Sequence, residues 1–334
     1  MPGKSVRIKD VAAAVGLSVG TVSNVLNNRA SVAPENRKLV LEAIDELGFV
    51  RSDIARQLRG GRSATVALVV LSSYNAFYNA LADACAEEVE KFGATLVLGS
   101  SAQDTEREAR YIEVFEEQEV RGMILVPVAG IPDRAAAFHK RGTPLVVFDR
   151  NADVARYCSV SLDSEASGFL AVSHLISIGR TRLLIVGGPT AQISDRIAGA
   201  RRAASEHQGV DVDVLETADM SIEIGAAAAD EIAAMPSELR PTGVFAANDL
   251  TAVGLVNRLT TVYGLRVPED IAVVGHDDIE IARLLTIPLT TIRQPLREMA
   301  RAAANLVDQE ASSKSHHNHV RMVFAPELVV RAST

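Results

Sequence analysis

The first fifty residues contain three stretches in which apolar positions recur with helical spacing. They are Ile8, Val11, Ala12 and Val15; then Val22, Val25 and Leu26; then Val40, Ala43, Ile44 and Leu47. This spacing predicts three short helices, each with one apolar face, that can close a minimal core. Ser18 offers an N-cap for the second helix, Pro34 opens the third, and Gly48 ends it.

From Ala64 onward, continuous apolar runs alternate with amphipathic stretches. The predicted strands are 66–71, 94–98, 122–126, 144–148, 183–186, 243–246 and 271–274, and the predicted helices include 77–92, 105–118, 164–178, 194–207, 221–235 and 249–263. Short apolar runs separated by helices are typical of buried parallel strands. The pattern predicts an α/β fold with doubly wound parallel sheets. Because some 270 residues exceed one such domain, we expect two lobes with a cleft between them.

Two short helices joined by a turn that contains Gly16 are typical of a helix-turn-helix. The polar side chains that would face a DNA major groove are Ser18, Thr21, Ser23, Asn24 and Asn27. The alternative is a plain helical hairpin whose polar residues face water, and periodicity alone does not separate the two. The same stretch also fits the G-x-S-x-G pattern of a hydrolase, but that motif needs a strand before the serine, and here a helix precedes it.

The net charge of −8 is divided unevenly along the chain. Residues 1–62 contain 10 Lys and Arg against 6 Asp and Glu, whereas the remainder contains 24 against 36. A basic head can neutralise phosphates while an acidic body opposes non-specific wrapping. The charge pattern therefore favours a protein with one end that faces double-stranded DNA.

The amino-acid composition indicates where the protein resides and the state of its cysteines. The chain is 48% hydrophobic but only 4% aromatic, without a run of eighteen apolar residues or an apolar signal-peptide core. We therefore expect a cytoplasmic protein with no membrane contact. Cys85 and Cys158 lie in apolar stretches, which favours buried thiols over a disulfide or a metal site. We expect no cofactor.

The wording of residues 8–27, IKDVAAAVGLSVGTVSNVLN, resembles the DNA-binding headpiece of the LacI/GalR family of bacterial transcription regulators. The resemblance implies that Val19, Gly20 and Asn24 read bases. The segment 52–59, SDIARQLR, resembles the family's hinge helix, with Ala55 and Leu58 at the positions that enter the minor groove. The alternative for this segment is a plain linker with an incidental leucine.

Four later phrases extend the resemblance to nearly the whole chain. They are PTGVFAANDLTAVGL, VPEDIAVVGHDD, PLTTIRQP and PELVVRAST. They imply a headpiece over residues 1–50, a hinge over 51–62 and a two-lobed, periplasmic-binding-protein-like effector and dimerisation domain over 63–334. One lobe would comprise about 63–161 and 293–322, the other 162–292 and 323–334, with crossings near 161–163, 291–293 and 322–325.

Ligands of open α/β sheets bind beyond the carboxyl ends of the strands. Residues at such places are Ser72, Tyr74, Phe77, Asp149, Arg150, Arg196, Asn248, Asp249 and Asp277. The family resemblance strengthens Asp149, Arg196, Asn248 and Asp277 and adds Gln294 and Met220 as effector-site positions. This polar set suits a sugar or a related small metabolite. Asn248 and Asp249 could instead only cap the helix that follows.

Two features depart from the family pattern or remain open. Met220 stands where sugar-binding members often have an aromatic residue, and His276 replaces another aromatic, as either a titratable contact or a core histidine. The cluster His316-His317-Asn318-His319 resembles a metal ligand set in composition, but its polar surroundings favour a solvated turn.

The leading hypothesis is a ligand-responsive repressor that binds a palindromic operator as a homodimer. The helix 77–92, with Leu81 and Val89 on its face, is the expected dimer surface. The rival is an α/β sugar-processing enzyme, such as a kinase, with a fused DNA-binding head, yet no phosphate-cradling glycine loop or catalytic set is found in the sequence.

Overall fold

The computed structural model describes residues 6–26, 32–49, 63–313 and 317–334. Contacts divide the chain into two compact units, Met1–Ser63 and Ala64–Thr334. The predicted hinge segment, with Ala55 and Leu58, lies outside the described residues, as does Asn27.

The first unit is a three-helix helix-turn-helix. Its helices are α1 (Ile8–Ala14), α2 (Val19–Leu26) and α3 (Pro34–Leu47). Their apolar faces meet in a core of Val11, Ala12, Val22, Val25, Val40 and Ala43, as the spacing predicts. Gly48 ends α3 in a left-handed conformation, with φ of 62°, which glycine adopts without strain.

The second unit consists of alternating strands and helices. Its strands are β1 (Thr65–Val70), β2 (Thr95–Ser100), β3 (Gly122–Leu125), β4 (Leu145–Phe148), β5 (Cys158–Leu162), β6 (Arg182–Gly187), β7 (Asp211–Glu216), β8 (Gly243–Ala246), β9 (Ala272–Asp277), β10 (Thr290–Arg293), β11 (Arg321–Phe324) and β12 (Glu327–Val329). Its helices are α4 (Ala76–Glu90), α5 (Thr105–Glu117), α6 (Asp133–Lys140), α7 (Ser164–Ser177), α8 (Thr190–Ser205), α9 (Ile222–Ala234), α10 (Asp249–Thr261), α11 (Glu280–Leu284) and α12 (Leu296–Ser312).

The strands form two six-stranded sheets, each the centre of one lobe. The first lobe has the strand order β11-β5-β4-β3-β1-β2, and all its pairs are parallel. The second lobe has the order β12-β10-β9-β8-β6-β7, and only the pair of β10 with β12 is antiparallel. These are the doubly wound parallel sheets predicted from the sequence.

The chain crosses between the lobes three times. The crossings lie at residue 163, at residues 294–295 and at residues 325–326, where β5, β10 and β11 have ended. The predicted crossings at 161–163 and 322–325 overlap the observed ones, and the predicted crossing at 291–293 ends one residue before the observed one. Each strand pairs in register up to its last residue, as Phe324 does with Leu162, and this long-range pairing extends the strands.

Glycines permit two close helix crossings in the second lobe. A Cβ atom on Gly168 of α7 would overlap the backbone carbonyl oxygen of Arg196 in α8, and one on Gly225 of α9 would overlap that of Thr251 in α10. Because no side chain separates the backbones, α7 packs directly on α8 and α9 on α10. The close contact between α7 and α8 therefore fixes the position of α8, and with it the position of Arg196.

No helix in the described part of the chain is both long enough and apolar enough to cross a bilayer.

Candidate functional site

Helix α2 presents a face that suits contact with DNA. Val22 and Val25 are buried against α1, whereas Val19 is 40% exposed and Gly20 is also exposed. Asn24 lies one turn after Gly20 and is half-buried. The amino end of this helix therefore offers Val19 and Gly20 to a groove, with Asn24 beyond them, which is the arrangement of a recognition helix.

Ser18 is used at the start of that helix. Its Oγ accepts a hydrogen bond from the backbone N–H of Thr21 at 3.0 Å and lies 2.9 Å from Thr21 Oγ1. Ser18 is thus the N-cap of α2, and Thr21 is the residue whose backbone N–H it accepts from. Both residues were predicted to contact DNA. Ser23 is half-buried and has a partner within the protein. Val19, which is exposed, and Asn24, which is half-buried, are therefore better candidates for base reading than these hydroxyl groups.

A polar cleft lies where the carboxyl ends of both sheets meet. It encloses about 280 Å³. Eight of the predicted effector residues line it, namely Phe77, Asp149, Arg150, Arg196, Met220, Asn248, Asp277 and Gln294. The first lobe contributes Phe77 from α4 and Asp149 after β4, and the second contributes Arg196 from α8 and Asp277 at the end of β9. A ligand here would touch both lobes.

Arg196 is the buried cation of the cleft. Its side chain is 8% exposed, and Nη1 donates to the carbonyl oxygen of Ala247 at 2.6 Å. Its Nε is buried and has no hydrogen-bond partner among the described residues. A buried donor without a partner costs free energy, so this guanidinium retains capacity for a ligand oxygen.

Asp149 is the carboxylate that faces it. The residue follows β4 with φ of 61°, a left-handed conformation that Asp tolerates better than most residues. Burial raises the pKa of its carboxyl to about 6, the positive charge of Arg196 opposes that shift, and the negative charge of Asp277 adds to it. Arg150 Nη1 reaches the carbonyl oxygen of Ala191 in the other lobe at 3.4 Å.

Asp277 is held in place by two neighbours. Its Oδ1 accepts hydrogen bonds from Gln294 Nε2 at 2.8 Å and from His276 Nδ1 at 2.9 Å. His276 is fully buried, and burial, with a contribution from Arg196, lowers its pKa to about 4. His276 is therefore a neutral core histidine at pH 7 that orients Asp277, and it does not line the cleft.

Three predicted effector residues lie elsewhere. Asp249 is fully buried: its Oδ1 accepts from the Thr291 hydroxyl at 2.6 Å and its Oδ2 from the Ile279 N–H at 2.9 Å. The prediction for Asp249 is wrong because the first turn of α10 directs this carboxylate into the second lobe. Ser72 and Tyr74 line a neighbouring cavity of about 170 Å³, and Tyr74 is 68% exposed.

Asn248 combines a structural and a lining role. Its Oδ1 accepts from the Thr251 N–H at 2.9 Å as the N-cap of α10, and its Nδ2 donates to the Met220 carbonyl oxygen at 3.0 Å. Asn248 therefore caps α10 and also lines the cleft, so capping is not its only role.

Tyr78 and Gln192 are among the cleft residues that sequence reasoning missed. Tyr78 lies next to Phe77, and their rings meet edge to face with centroids 5.3 Å apart. Burial and the nearby carboxylates raise the pKa of Tyr78 well above its usual value, so its hydroxyl stays protonated. Gln192 of α8 donates to Gln103 Oε1 of the first lobe at 3.2 Å. Neither follows a strand directly, so the strand-end rule does not find them.

These parts define a class of protein. A helix-turn-helix unit followed by two doubly wound lobes with a polar cleft between them is a DNA-binding regulator with a small-molecule site. A model of the lacI family of bacterial regulatory proteins matches residues 7–52, and one of the periplasmic binding protein-like domain matches residues 172–334.

Whole-chain comparisons agree. The HTH-type transcriptional repressor PurR of Vibrio campbellii is 35% identical over 329 residues, which cover 97% of each chain. The lac repressor dimer bound to operator and the anti-inducer ONPF superposes with a TM-score of 0.82 at 26% identity, covering 99% of both chains. The regulator CelR in complex with cellobiose gives a TM-score of 0.70 at 30% identity, covering 98% of this chain and all of the other. The chain belongs to the LacI family and is a transcriptional regulator rather than an enzyme.

Proposed function

We propose that this protein represses transcription in the cytoplasm by binding a palindromic operator as a homodimer, and that a sugar or related polyhydroxylated metabolite in the cleft changes its operator affinity. The observation that carries the effector proposal is a polar cleft lined by charged side chains of both lobes, with Asp149 from the first lobe and Arg196 and Asp277 from the second. The relatives named as repressors and the operator-bound lac repressor dimer support the rest.

The chemistry of the cleft favours a ligand rich in hydroxyl groups. Carboxylate oxygens of Asp149 and Asp277 can accept from hydroxyls, while Arg196 can donate to a ring or hydroxyl oxygen. Phe77 and Tyr78 provide an apolar wall, in place of the aromatic residue that Met220 replaces. The cellobiose complex of CelR is a sugar-bound structure of similar fold, which supports this class.

Coupling follows from the position of the cleft. A ligand that bonds to Asp149 in one lobe and to Arg196 in the other favours the arrangement in which both contacts are made. It can shift the equilibrium only by its differential affinity for two lobe arrangements, typically about 1–3 kcal/mol. The inter-lobe contacts of Arg150 with Ala191 and of Gln103 with Gln192 are those that such a ligand would reinforce.

The effector site is tested with Arg196→Ala and Asp277→Ala. The operator is first selected from a random DNA library with the wild-type protein, and ligands are screened by thermal shift. We expect both variants to bind operator normally in fluorescence anisotropy and to lose roughly 10- to 100-fold in ligand affinity, since hydrogen bonds to charged groups contribute about 1.5–3 kcal/mol.

Arg202→Ala is the matched control. Arg202 is also on α8, but it is half exposed and pairs with Glu165 outside the cleft. This variant should keep both ligand affinity and response. If all three variants respond to the ligand as the wild type does, the cleft is not the effector site.

The DNA-reading face is tested with Asn24→Ala. The Asn amide can form paired hydrogen bonds with adenine, while Val19 can contact a thymine methyl group. We expect the variant to lose about 1–3 kcal/mol of binding to the selected operator, with its binding to random DNA unchanged. An equal loss on both DNAs would show that Asn24 does not read a base.

A further inference from the structure

A cluster of metal-ligating side chains lies at the edge of the first lobe's sheet opposite the cleft. Cys158 is the first residue of β5, and Glu310 is in the last turn of α12. His317 and His319 precede β11. The parallel register, which pairs Arg321 with Ser159, brings this histidine segment alongside the start of β5.

The structure contradicts the solvated turn predicted for these histidines. His317 and His319 are both half-buried, and the backbone N–H of Ser159 donates to the carbonyl oxygen of Val320 at 3.0 Å. Formation of the β5–β11 pair therefore orders the histidine segment against the lobe. His316 lies outside the described residues.

The four ligand atoms already have the spacing of a coordination shell. Cys158 Sγ lies 3.2 Å from His317 Nε2 and 3.8 Å from His319 Nδ1. A carboxylate oxygen of Glu310 is the fourth ligand atom, and the four atoms lie within 4.8 Å of one another. Tetrahedral zinc with bonds of about 2.0–2.3 Å holds its ligand atoms about 3.3–3.8 Å apart. The two distances from Cys158 Sγ, 3.2 Å and 3.8 Å, are close to this range.

The surroundings enclose polar atoms of this cluster within the protein. Cys158 is fully buried, and Glu310 Oε2 is buried with no hydrogen-bond partner among the described residues. A divalent cation would satisfy the orphaned carboxylate oxygen and stabilise the thiolate.

A neighbouring histidine buttresses the cluster. His139, at the end of α6, donates through Nδ1 to the Thr143 carbonyl oxygen at 3.1 Å, and that nitrogen is 3.6 Å from Glu310 Oε1. Its ring packs against those of His319 and Tyr157, with centroids 5.5 Å and 5.2 Å away. Such outer contacts orient the side chains that bind the ion in metal sites.

We propose that Cys158, Glu310, His317 and His319 bind a zinc-like divalent transition-metal ion. Thiolate, imidazole and carboxylate together are a donor set that suits zinc. On binding, the Cys158 thiol loses its proton to solvent as the sulfur–metal bond forms. The ion would join the end of α12 to β5 and to the start of β11, and it would occupy the opposite edge of the lobe from the effector.

Cobalt substitution tests the site directly. The full-length protein, without an affinity tag, is stripped with a chelator and titrated with Co²⁺. We expect one equivalent per chain, with the d–d bands of tetrahedral cobalt and a thiolate-to-cobalt charge-transfer band. Added Zn²⁺ should bleach these bands by displacement.

Variants identify the ligands. Cys158→Ser should abolish the charge-transfer band, whereas Cys85→Ser, which alters the other buried thiol of the same lobe, should keep it. Glu310→Gln and His319→Gln should keep the band but weaken metal affinity by at least about tenfold. Circular dichroism confirms that each variant is folded.

Three results would overturn the proposal. They are the absence of stoichiometric cobalt binding, a charge-transfer band that survives Cys158→Ser, and unchanged metal affinity in both Glu310→Gln and His319→Gln. The last two conservative variants keep the test decisive even if Cys158→Ser fails to fold.

Discussion

The ionised carboxylate of Asp149 is destabilised in the cleft when no ligand is bound. Its carboxyl is half-buried in the wall of the cleft, and this burial, with a contribution from the nearby Asp277 carboxylate, raises its pKa to about 6. The ionised form at pH 7 is therefore less stable in the folded protein than in water. A ligand hydroxyl that donates to it, together with Arg196, would relieve that cost.

This residue gives the folded protein a specific pH dependence. Because the folded state holds the Asp149 proton more tightly than the unfolded chain does, its contribution to stability is present below about pH 4 and is lost as pH rises to about 6 and above. We expect Asp149→Asn to remove that loss, so that its free energy of unfolding relative to the wild type is about 2 kcal/mol higher at pH 7.5 than at pH 4.

Urea unfolding of the ligand-free protein at several pH values measures this difference. The comparison with wild type cancels the opposite contribution of His276, whose lowered pKa favours stability as pH rises through its range. A difference between the two proteins that does not change with pH would contradict the proposed environment of Asp149.

The sequence predicts which residues lie in the cleft where a residue's position at the end of a strand is enough to place it there. Asp149 and Asp277 end strands whose carboxyl ends must meet at the cleft, so their placement follows from the strand pattern. Asn248 and Asp249 are neighbours, yet one lines the cleft and the other binds Thr291 inside the lobe. That separation depends on the first turn of α10, which no sequence spacing specifies.

At the scale of elements, the α7–α8 crossing controls where Arg196 lies. Any side chain larger than hydrogen at Gly168 must displace the backbone of α8 at Arg196. Gly122 offers a control position away from the cleft, because it is the first residue of β3 and the cleft lies at the carboxyl ends of the strands. A Cβ atom on Gly122 would overlap Val307 Cγ1 of α12, at 2.5 Å.

We expect Gly168→Ala and Gly122→Ala each to destabilise the protein by about 1–3 kcal/mol, the usual cost of overpacking. Only Gly168→Ala should also weaken ligand binding, because it moves the guanidinium. Thermal unfolding and calorimetric titration with a screened ligand separate the two effects. Equal ligand affinity in both variants would show that α8 can shift without moving Arg196.

Elements with strong apolar runs were predicted well, and weakly patterned ones were not. The central strands β1, β3 and β4 are almost entirely buried, so their sequences are continuously apolar. Edge strand β11 is mostly exposed and carries Arg321, and its strand conformation depends on pairing with β5. Such pairing depends on residues far apart in the chain, which local periodicity does not report.

For the whole molecule, the apolar side chains that the sequence analysis placed on the dimer surface are not available to a second copy. Leu81, Cys85 and Val89 of α4 are fully buried within the first lobe. Edge strand β2 instead exposes Val97 and Leu98. An exposed apolar edge strand is a surface that a partner chain covers.

We therefore expect Leu98→Lys to weaken the dimer by at least about tenfold, because it places a charge on that edge. Leu239→Lys is the control, since Leu239 is equally apolar and more exposed but lies in the second lobe's loop after α9. Sedimentation equilibrium of both variants measures the change. If Leu98→Lys stays as dimeric as the control, β2 is not part of the interface.

Because the chain crosses between the lobes three times, the cleft can form only late in synthesis. The Ser333 hydroxyl donates to the Val273 carbonyl oxygen at 2.6 Å and accepts from the Thr290 N–H at 2.8 Å, so the second sheet is incomplete until that residue is made. The first sheet is incomplete until β11 is made. The DNA-binding helices thus emerge from the ribosome long before either sheet is complete. During that interval a growing chain has its complete helix-turn-helix but not yet its small-molecule cleft.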